Sequence, residues 1–162
     1  MQKLVFDSGV KEYRLGDAGV LRFNPGDPNV YARFMAAMDK LPEIEERLVE
    51  KAKRLEKSDG AEPNGEEVLK LMEEADREVK QLLNNVFGGG NDFDEILGGV
   101  NLLAVANNGE RVVTNLIAAL QPVMVSGAER MTQQKVDAAV EKARLNRAQR
   151  RRSGKKKKGG HR

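Results

Sequence analysis

The residue types that most often do chemistry in proteins are scarce in this 162-residue chain. It contains no Cys, and its one histidine, His161, lies among glycines and lysines, where a solvated side chain is the expected role. Catalytic arrangements of a nucleophile and a base that use Cys or His are therefore unavailable. Thiolate metal sites and disulfides are also excluded. We expect no catalysis, no cofactor and no metal site, and the lack of Cys suits a reducing cytoplasm.

The glycine-rich stretch at residues 88–95 partly resembles a calcium-binding loop and a phosphate-binding loop. Residues 91–95 (NDFDE) are acidic like a calcium loop, but the ligand spacing, the Gly at position six and the terminal Glu are missing. Gly88–Gly90 is not followed by Gly-Lys-Ser/Thr, so it is not a phosphate loop. The glycines instead predict that a helix ends at Phe87, and Asp92 is a predicted N-cap for a short helix through Leu97.

The charge is divided unevenly along the chain. Residues 142–162 hold eleven of the 28 Lys and Arg residues and no Asp or Glu, so residues 1–141 carry a net charge of −8. A basic segment of this kind can neutralise nucleic-acid phosphates, but interleaved aromatics and a base-reading motif are missing. We therefore expect no specific nucleic-acid binding, although a nucleic-acid-binding or other regulatory function stays the alternative. The basic candidates are Arg147, Arg150, Arg151, Arg152, Lys155, Lys156, Lys157 and Lys158.

These residues must be positioned by elements that the apolar pattern predicts. Residues 1–26 contain short apolar runs at 4–6, 10–15 and 20–23, separated by turn residues, and predict an antiparallel meander of two or three strands. Such a sheet is marginal alone, so a helix must cover it.

Two helical arms follow, at about residues 28–57 and 66–87. Asp27 is the predicted cap of the first arm, with Pro28 at its first position, and Pro42 is expected to kink or break it. Apolar residues recur every three or four positions in both arms, and a polar loop at 57–65 separates them. The pattern predicts an antiparallel helical pair.

Residues 88–124, which we call the hub, have no charged residue between Ile96 and Gly109. Such a segment must be buried, in its own core or against a partner. Its apolar helix is predicted to end or bend at Pro122, and Ser126 with Glu129 predicts the cap of a last helix at 127–150. The predicted fold is mainly α with a small N-terminal antiparallel β meander (α+β, helix-dominated), a helical body at 27–145 and a disordered basic tail at 151–162.

The sequence also bears on location. The first residues lack the apolar run of a signal peptide, and the best candidate for a membrane span is interrupted by Glu110 and Arg111. We expect a soluble intracellular protein that does not enter a membrane.

The order of these features over most of residues 10–152 resembles that of tail assembly chaperones of long-tailed bacteriophages, or prophages, of Gram-positive hosts. The matching stretches are 21–25 (LRFNP), 27–29 (DPN), the Glu/Lys-rich arm, 85–88 (NVFG), 101–102 (NL) and 146–151 (NRAQRR). The triple glycine and residues 155–162 depart from the family pattern, so nothing is carried over to them.

The resemblance implies binding without catalysis. Members of this family coat the long, coiled-coil-rich tape measure protein, keep it soluble, help to bring tail tube subunits to it, and leave the finished particle. The implied location is the host bacterial cytoplasm, and not the mature virion. Homo-oligomerisation and an unrelated scaffolding role stay open.

Apolar residues around the hub turn are the candidates for partner contact, because they are dense beside flexible glycines. They are Phe87, Phe93, Ile96, Leu97 and Leu102. The alternative is that they form the core.

The resemblance further implies a longer product made by programmed −1 frameshifting, which would bind the tail tube protein. Codons for Lys155–Lys158, followed by Gly159 and Gly160, can supply an A-rich heptanucleotide for such a slip. The alternative is a lysine run that only aids solubility.

Overall fold

The structure is a computed structural model that describes residues 1–17, 19–57 and 64–158, without the side chains of residues 57 and 151–158. Its elements are β1 (Lys11–Leu15), β2 (Gly19–Phe23), α1 (Pro28–Lys57), α2 (Gly65–Phe87), α3 (Phe93–Ile96) and α4 (Val112–Lys158). The chain is 67% helical with a two-stranded antiparallel sheet at the N-terminus, so the predicted fold class is confirmed. Most of the polar loop predicted at 57–65 lies outside the described residues, as does His161.

The sheet is a hairpin. β1 pairs antiparallel with β2, with Lys11 opposite Phe23 and Leu15 opposite Gly19. The apolar run at 4–6 forms no strand and is exposed, so the sheet has two strands. Leu21 and Phe23 alternate with exposed Arg22, and they turn one face of β2 into the core.

Side-chain caps begin α1, as predicted from Asp27, and also α2. An Asp27 carboxylate oxygen accepts the backbone N–H of Asn29 at 2.8 Å, and the Asn64 side-chain oxygen accepts that of Glu66 at 3.2 Å. Gly88 ends α2 with a φ of +67°, a left-handed conformation that glycine adopts without steric cost. The predicted end of this helix at Phe87 is confirmed.

Helices α1 and α2 form the predicted antiparallel pair. Arg33, early in α1, donates to the carbonyl of Val86 at 2.9 Å, whereas Arg47, later in α1, pairs with Glu78. Helix α1 runs through Pro42, so of the two predicted outcomes, a kink or a break, the break is wrong. Proline removes one hydrogen bond, but buried residues on both sides of it hold the helix against the core.

Helix α4 is also continuous through a proline. Of the two outcomes predicted for Pro122, an end or a bend, the end is wrong, and so is the predicted new start after Ser126, because one helix spans Val112–Lys158. Tertiary packing on either side of the proline accounts for this. Leu120 and Met124 are buried, and Gly127 lies so close to Pro25 that an added Cβ would stand 1.9 Å from the proline carbonyl oxygen.

The structure carries this helix to Lys158, past the predicted end at 150. The side chains from Arg151 onward and residues 159–162 lie outside the described part of the chain. The predicted disorder of residues 151–162 therefore stays a prediction.

The core is centred on Phe87. Its ring lies 4.8 Å from that of Phe23 on β2, 5.7 Å from that of Phe93 on α3, and 6.5 Å from that of Phe34 on α1. The end of α2 is thus the point where the hairpin, the first helix and the segment after the glycines meet. Helix α4 adds Val113, Leu116, Leu120 and Met124 to the same cluster.

Candidate functional site

The predicted partner residues around the hub turn lie in the core. Phe93 and Leu102 are fully buried, Phe87 and Ile96 nearly so, and Leu97 is half-buried against them. The structure therefore favours the alternative interpretation, in which this uncharged segment is buried in its own core. A partner could reach the four buried residues only if the core opened.

A row of polar groups on α2 holds the segment between α2 and α4 in place. Asp76, Lys80 and Asn84 recur every four residues, so they share one face of the helix. Asn84 accepts the N–H of Phe93 at 2.8 Å, and Asp76 accepts that of Leu102 at 2.7 Å. Backbone groups that would otherwise be left unpaired in an irregular segment are satisfied in this way.

Lys80 is the buried charge of this row. Its ammonium lies 2.7 Å from a carboxylate oxygen of Asp76 and 2.6 Å from one of Asp94, with only 7% of its side chain exposed. Burial lowers the pKa of Lys80, but hydrogen bonds and attraction from both carboxylates outweigh this effect, so the pKa is raised above 10.5.

An open, polar cavity of about 510 Å³ lies beside Lys80. Its acidic lining includes Glu73 and Asp92, but the carboxylates nearest to Lys80 are already paired with it. Among the described residues, no cluster of three metal-ligating side chains occurs. This cavity is best explained as the solvated side of a structural ion pair.

Asn91 has an equally structural role. It is buried, its side-chain oxygen accepts the N–H of Arg22 at 2.9 Å, and its amide donates to the Arg22 carbonyl at 2.7 Å. The side chain therefore pairs with the backbone of β2 much as a neighbouring strand would. The residues that resemble a calcium loop are used to fix the fold.

Part of the accessible apolar surface lies on α4, besides exposed residues elsewhere such as Leu4, Val5 and Phe6. Every residue from Thr132 to Arg150 is exposed, including Val136, Val140 and Leu145. A helix is normally stabilised in a protein by packing one apolar face, and this stretch buries none. Its valines are available to a partner.

Two open cavities lie between α1 and the first half of α4. One, of about 210 Å³, is lined mainly by apolar groups, including Met38, Leu41 and Ile117. The other, of about 420 Å³, lies between Tyr31 and the stretch from Val125 to Gln133. Both helices line both cavities, and exposed Met35 follows from Tyr31 by one helical turn.

The basic candidates are only partly described. Arg147 and Arg150 are exposed on α4, whereas the side chains of Arg151, Arg152 and Lys155–Lys158 lie outside the described residues. The role of the basic tail therefore stays a prediction from the sequence.

One stretch of α4, within Val112–Arg150, is the single described helix that is long and apolar enough to cross a membrane. The sequence predicts that Glu110 and Arg111 interrupt the best candidate span, but both precede the first residue of α4. A mostly buried core helix passes the same test, but only 28% of this stretch is buried, including Leu116, Leu120 and Met124, so it is weak evidence for a membrane span.

The chain matches no protein-family model, no curated protein and no solved structure. The resemblance to tail assembly chaperones therefore rests on the sequence motifs alone.

Sequence reasoning missed two features of the structure. The repeat of Asp76, Lys80 and Asn84 on one face of α2 could have indicated a polar contact, because these residues interrupt the alignment of apolar positions. The spacing of Val125, Val136 and Val140 was also readable, but only the structure shows that the body does not cover them.

Proposed function

We propose that this protein is a tail assembly chaperone that binds a tape measure protein, keeps it soluble and assists tail tube assembly, without catalysis. It would act in the host bacterial cytoplasm and be absent from the mature virion. A longer frameshifted form would bring the tail tube protein.

The observation that best supports this proposal is the unpacked second half of α4. A helix whose exposed residues include Val136, Val140 and Leu145 suits binding to apolar helices of a partner. The exposed Met35 and half-buried Met38 add flexible apolar contacts, which adapt to different partner side chains along a long protein. The resemblance of the sequence motifs implies a tape measure protein as the partner, and the exposed surface of α4 offers a means of binding it.

A nucleic-acid-binding function is the second candidate. Arg147 and Arg150 are exposed at the end of α4, and further basic residues follow in the sequence. Against it, the rest of the chain is acidic and would repel phosphates. Exposed valines on the same helix also have no role in contacts with a phosphate backbone.

Co-expression tests the proposal directly. The gene for a very long helical protein next to that of this chain would be expressed alone and together with it, and the soluble fraction of the long protein compared. We expect the long protein to be soluble only in the presence of this chain and to co-purify with it. A long protein that stays equally insoluble would contradict the proposal.

A truncated variant ending at Arg150 separates the two candidate functions. It retains the described side chains but lacks the lysine run. The chaperone proposal expects this variant to solubilise the long protein, whereas a function of the basic tail expects it to fail.

A further inference from the structure

We propose that two copies of this protein associate through β1, whose outer edge pairs antiparallel with β1 of the second copy to form one four-stranded sheet. This contact goes beyond the proposed function, because it needs no other protein. A two-stranded sheet is marginal by itself, and a four-stranded sheet is more stable.

The hairpin has one closed edge and one open edge. On the outer edge of β2, the backbone N–H and C=O of Arg22 are both bonded to the side chain of Asn91. On the other edge, no further strand among the described residues pairs with β1. An open edge presents backbone donors and acceptors to which another strand can add. Because Asn91 closes the β2 edge, this addition would end with two copies and would not continue into a fibre.

The bonds to Asn91 also show which backbone groups of β1 point outward. Glu12 lies opposite Arg22, and Arg14 lies opposite Val20. The N–H and C=O of Arg22 point away from β1, so Glu12 and Arg22 form a pair without backbone hydrogen bonds between them. Because the pattern alternates along the strand, the backbone groups of Glu12 and Arg14 all point away from β2. The open edge therefore offers two donors and two acceptors.

The sequence of β1 (KEYRL) is complementary to itself in one antiparallel register. When Tyr13 lies opposite Tyr13 of the second copy, Glu12 of each copy lies opposite Arg14 of the other. These are the residues whose backbone groups point outward, so each pair exchanges two hydrogen bonds, four in total. Opposite charges also face each other at both pairs, which is favourable. A two-fold axis requires reciprocal pairs of this kind.

The core-facing side of β1 is also suited to this register. The ring of Tyr13 stacks on that of Phe23 at 5.0 Å but is only partly buried. Two Tyr13 side chains would meet at the centre, in a pair without backbone hydrogen bonds, where side chains lie closest. Leu15, also partly buried, would lie opposite Lys11 of the second copy, whose aliphatic stem can cover it. The pairing therefore buries apolar surface that one hairpin leaves accessible.

Other strands fit this edge less well. The exposed apolar segment at residues 4–6 (LVF), from either copy, would place apolar side chains opposite both outward-facing residues of β1 in the central antiparallel register. A shift by one residue would bring Lys3 opposite Arg14, and the reverse shift would bring Asp7 opposite Glu12. Like charges opposite each other are destabilising. A strand with charges of one sign would satisfy only one of the two residues, whereas a second β1 satisfies both.

Sedimentation velocity of the full chain tests the association. Two five-residue strands make a small interface, so we expect a reversible dimer with a dissociation constant of about 100 µM. Between about 5 and 500 µM, the average mass should therefore rise from that of one chain toward that of two. A chain that stays monomeric over this range, or that forms assemblies larger than two copies, overturns the proposal.

Exchanging the charges tests the register. Glu12→Arg brings two arginines together at each pair, and Arg14→Glu brings two glutamates together. We expect each variant alone to dimerise at least about tenfold more weakly, and an equimolar mixture to regain association because arginine again faces glutamate. Both residues are exposed, so the circular dichroism spectrum should not change. The matched control Glu50→Arg makes the same charge change on an exposed position of α1 and should dimerise within about twofold of the original chain. Variants that dimerise like the original, or a mixture that associates no better than either variant alone, overturn the proposal.

Hydrogen exchange followed by NMR locates the contact. At high concentration, the amides of Glu12 and Arg14 should exchange at least about tenfold more slowly than in dilute solution. The amide of Tyr13, which points toward β2, should be protected at both concentrations. A dimer in which the first two amides stay unprotected uses another surface and contradicts the proposal.

Deleting residues 2–6 tests the competing strand. We expect the shortened chain to dimerise like the original, and loss of the dimer would assign the contact to residues 4–6 and overturn the proposal. All of these measurements use this chain alone. Their outcome is therefore independent of whether the protein solubilises a tape measure protein, and each proposal can fail without the other.

Discussion

Replacing Gly127 by alanine tests whether α4 is fixed by the turn that precedes α1. In the interior of a solvated helix, alanine is more favourable than glycine by about 1 kcal/mol, so helix propensity alone predicts stabilisation. At Gly127, however, the added Cβ would stand 1.9 Å from the Pro25 carbonyl oxygen and 2.5 Å from its carbon. These atoms belong to backbone and cannot rotate away.

The magnitude follows from what must move. Restoring an ordinary contact of 3.4 Å requires α4 and the turn to separate by roughly 1.5 Å. The turn is stiff, because the Asn24 side chain accepts the N–H of Gly26 at 2.8 Å and the Asn24 carbonyl accepts that of Asp27 at 3.2 Å. Overpacking of this kind costs up to about 3 kcal/mol, so the net loss in the free energy of unfolding should be about 2 kcal/mol.

Urea unfolding of the full chain, followed by far-UV circular dichroism, measures this loss. The matched control is Gly65→Ala at the start of α2, where an added Cβ meets no atom within 4 Å. We expect the control to equal or slightly exceed the original stability, and Gly127→Ala to fall below it. If Gly127→Ala is as stable as the original chain, α4 does not lie against this turn and the reasoning is refuted.

Three further changes test the core and its polar contacts. Phe93→Asp should abolish helicity in circular dichroism together with partner solubilisation, because the side chain is fully buried; preserved helicity would instead support a partner-contact role. Asn91→Ala should lower the free energy of unfolding by about 1–3 kcal/mol in urea, because it leaves backbone groups of β2 unpaired, and an unchanged value would contradict this pairing. Lys80→Met should cost about 3 kcal/mol, because Asp76, with only 13% of its side chain exposed, loses its cation. Folding raises the pKa of Lys80, so the stabilisation from its ion pairs is complete below pH 10.5 and is lost as the pH rises through the folded-state pKa. The free energy of unfolding of the original chain should therefore approach that of the variant at alkaline pH. A difference that stays constant with pH would argue against the ion pair.

Local chemistry let the sequence determine some helix ends, such as the start of α1 and the end of α2. Asp27 and Asn64 cap helices because their side-chain oxygens reach backbone N–H groups two residues on, and this contact depends on neighbours in the chain alone. Gly88 ends α2 for an equally local reason, its left-handed φ. The antiparallel arms and the helix-dominated fold follow from periodic apolar positions, which are also read within one segment.

Tertiary packing decided what local patterns could not. Pro42 and Pro122 each remove a hydrogen bond, and whether a helix survives this loss depends on buried contacts on both sides of the proline. The apolar residues from Phe87 to Leu102 had to be buried, but the sequence could not distinguish their own core from a partner. The valines of α4 show the converse, because an apolar spacing says that a face can pack, while only the arrangement of the other helices leaves Val136 and Val140 uncovered.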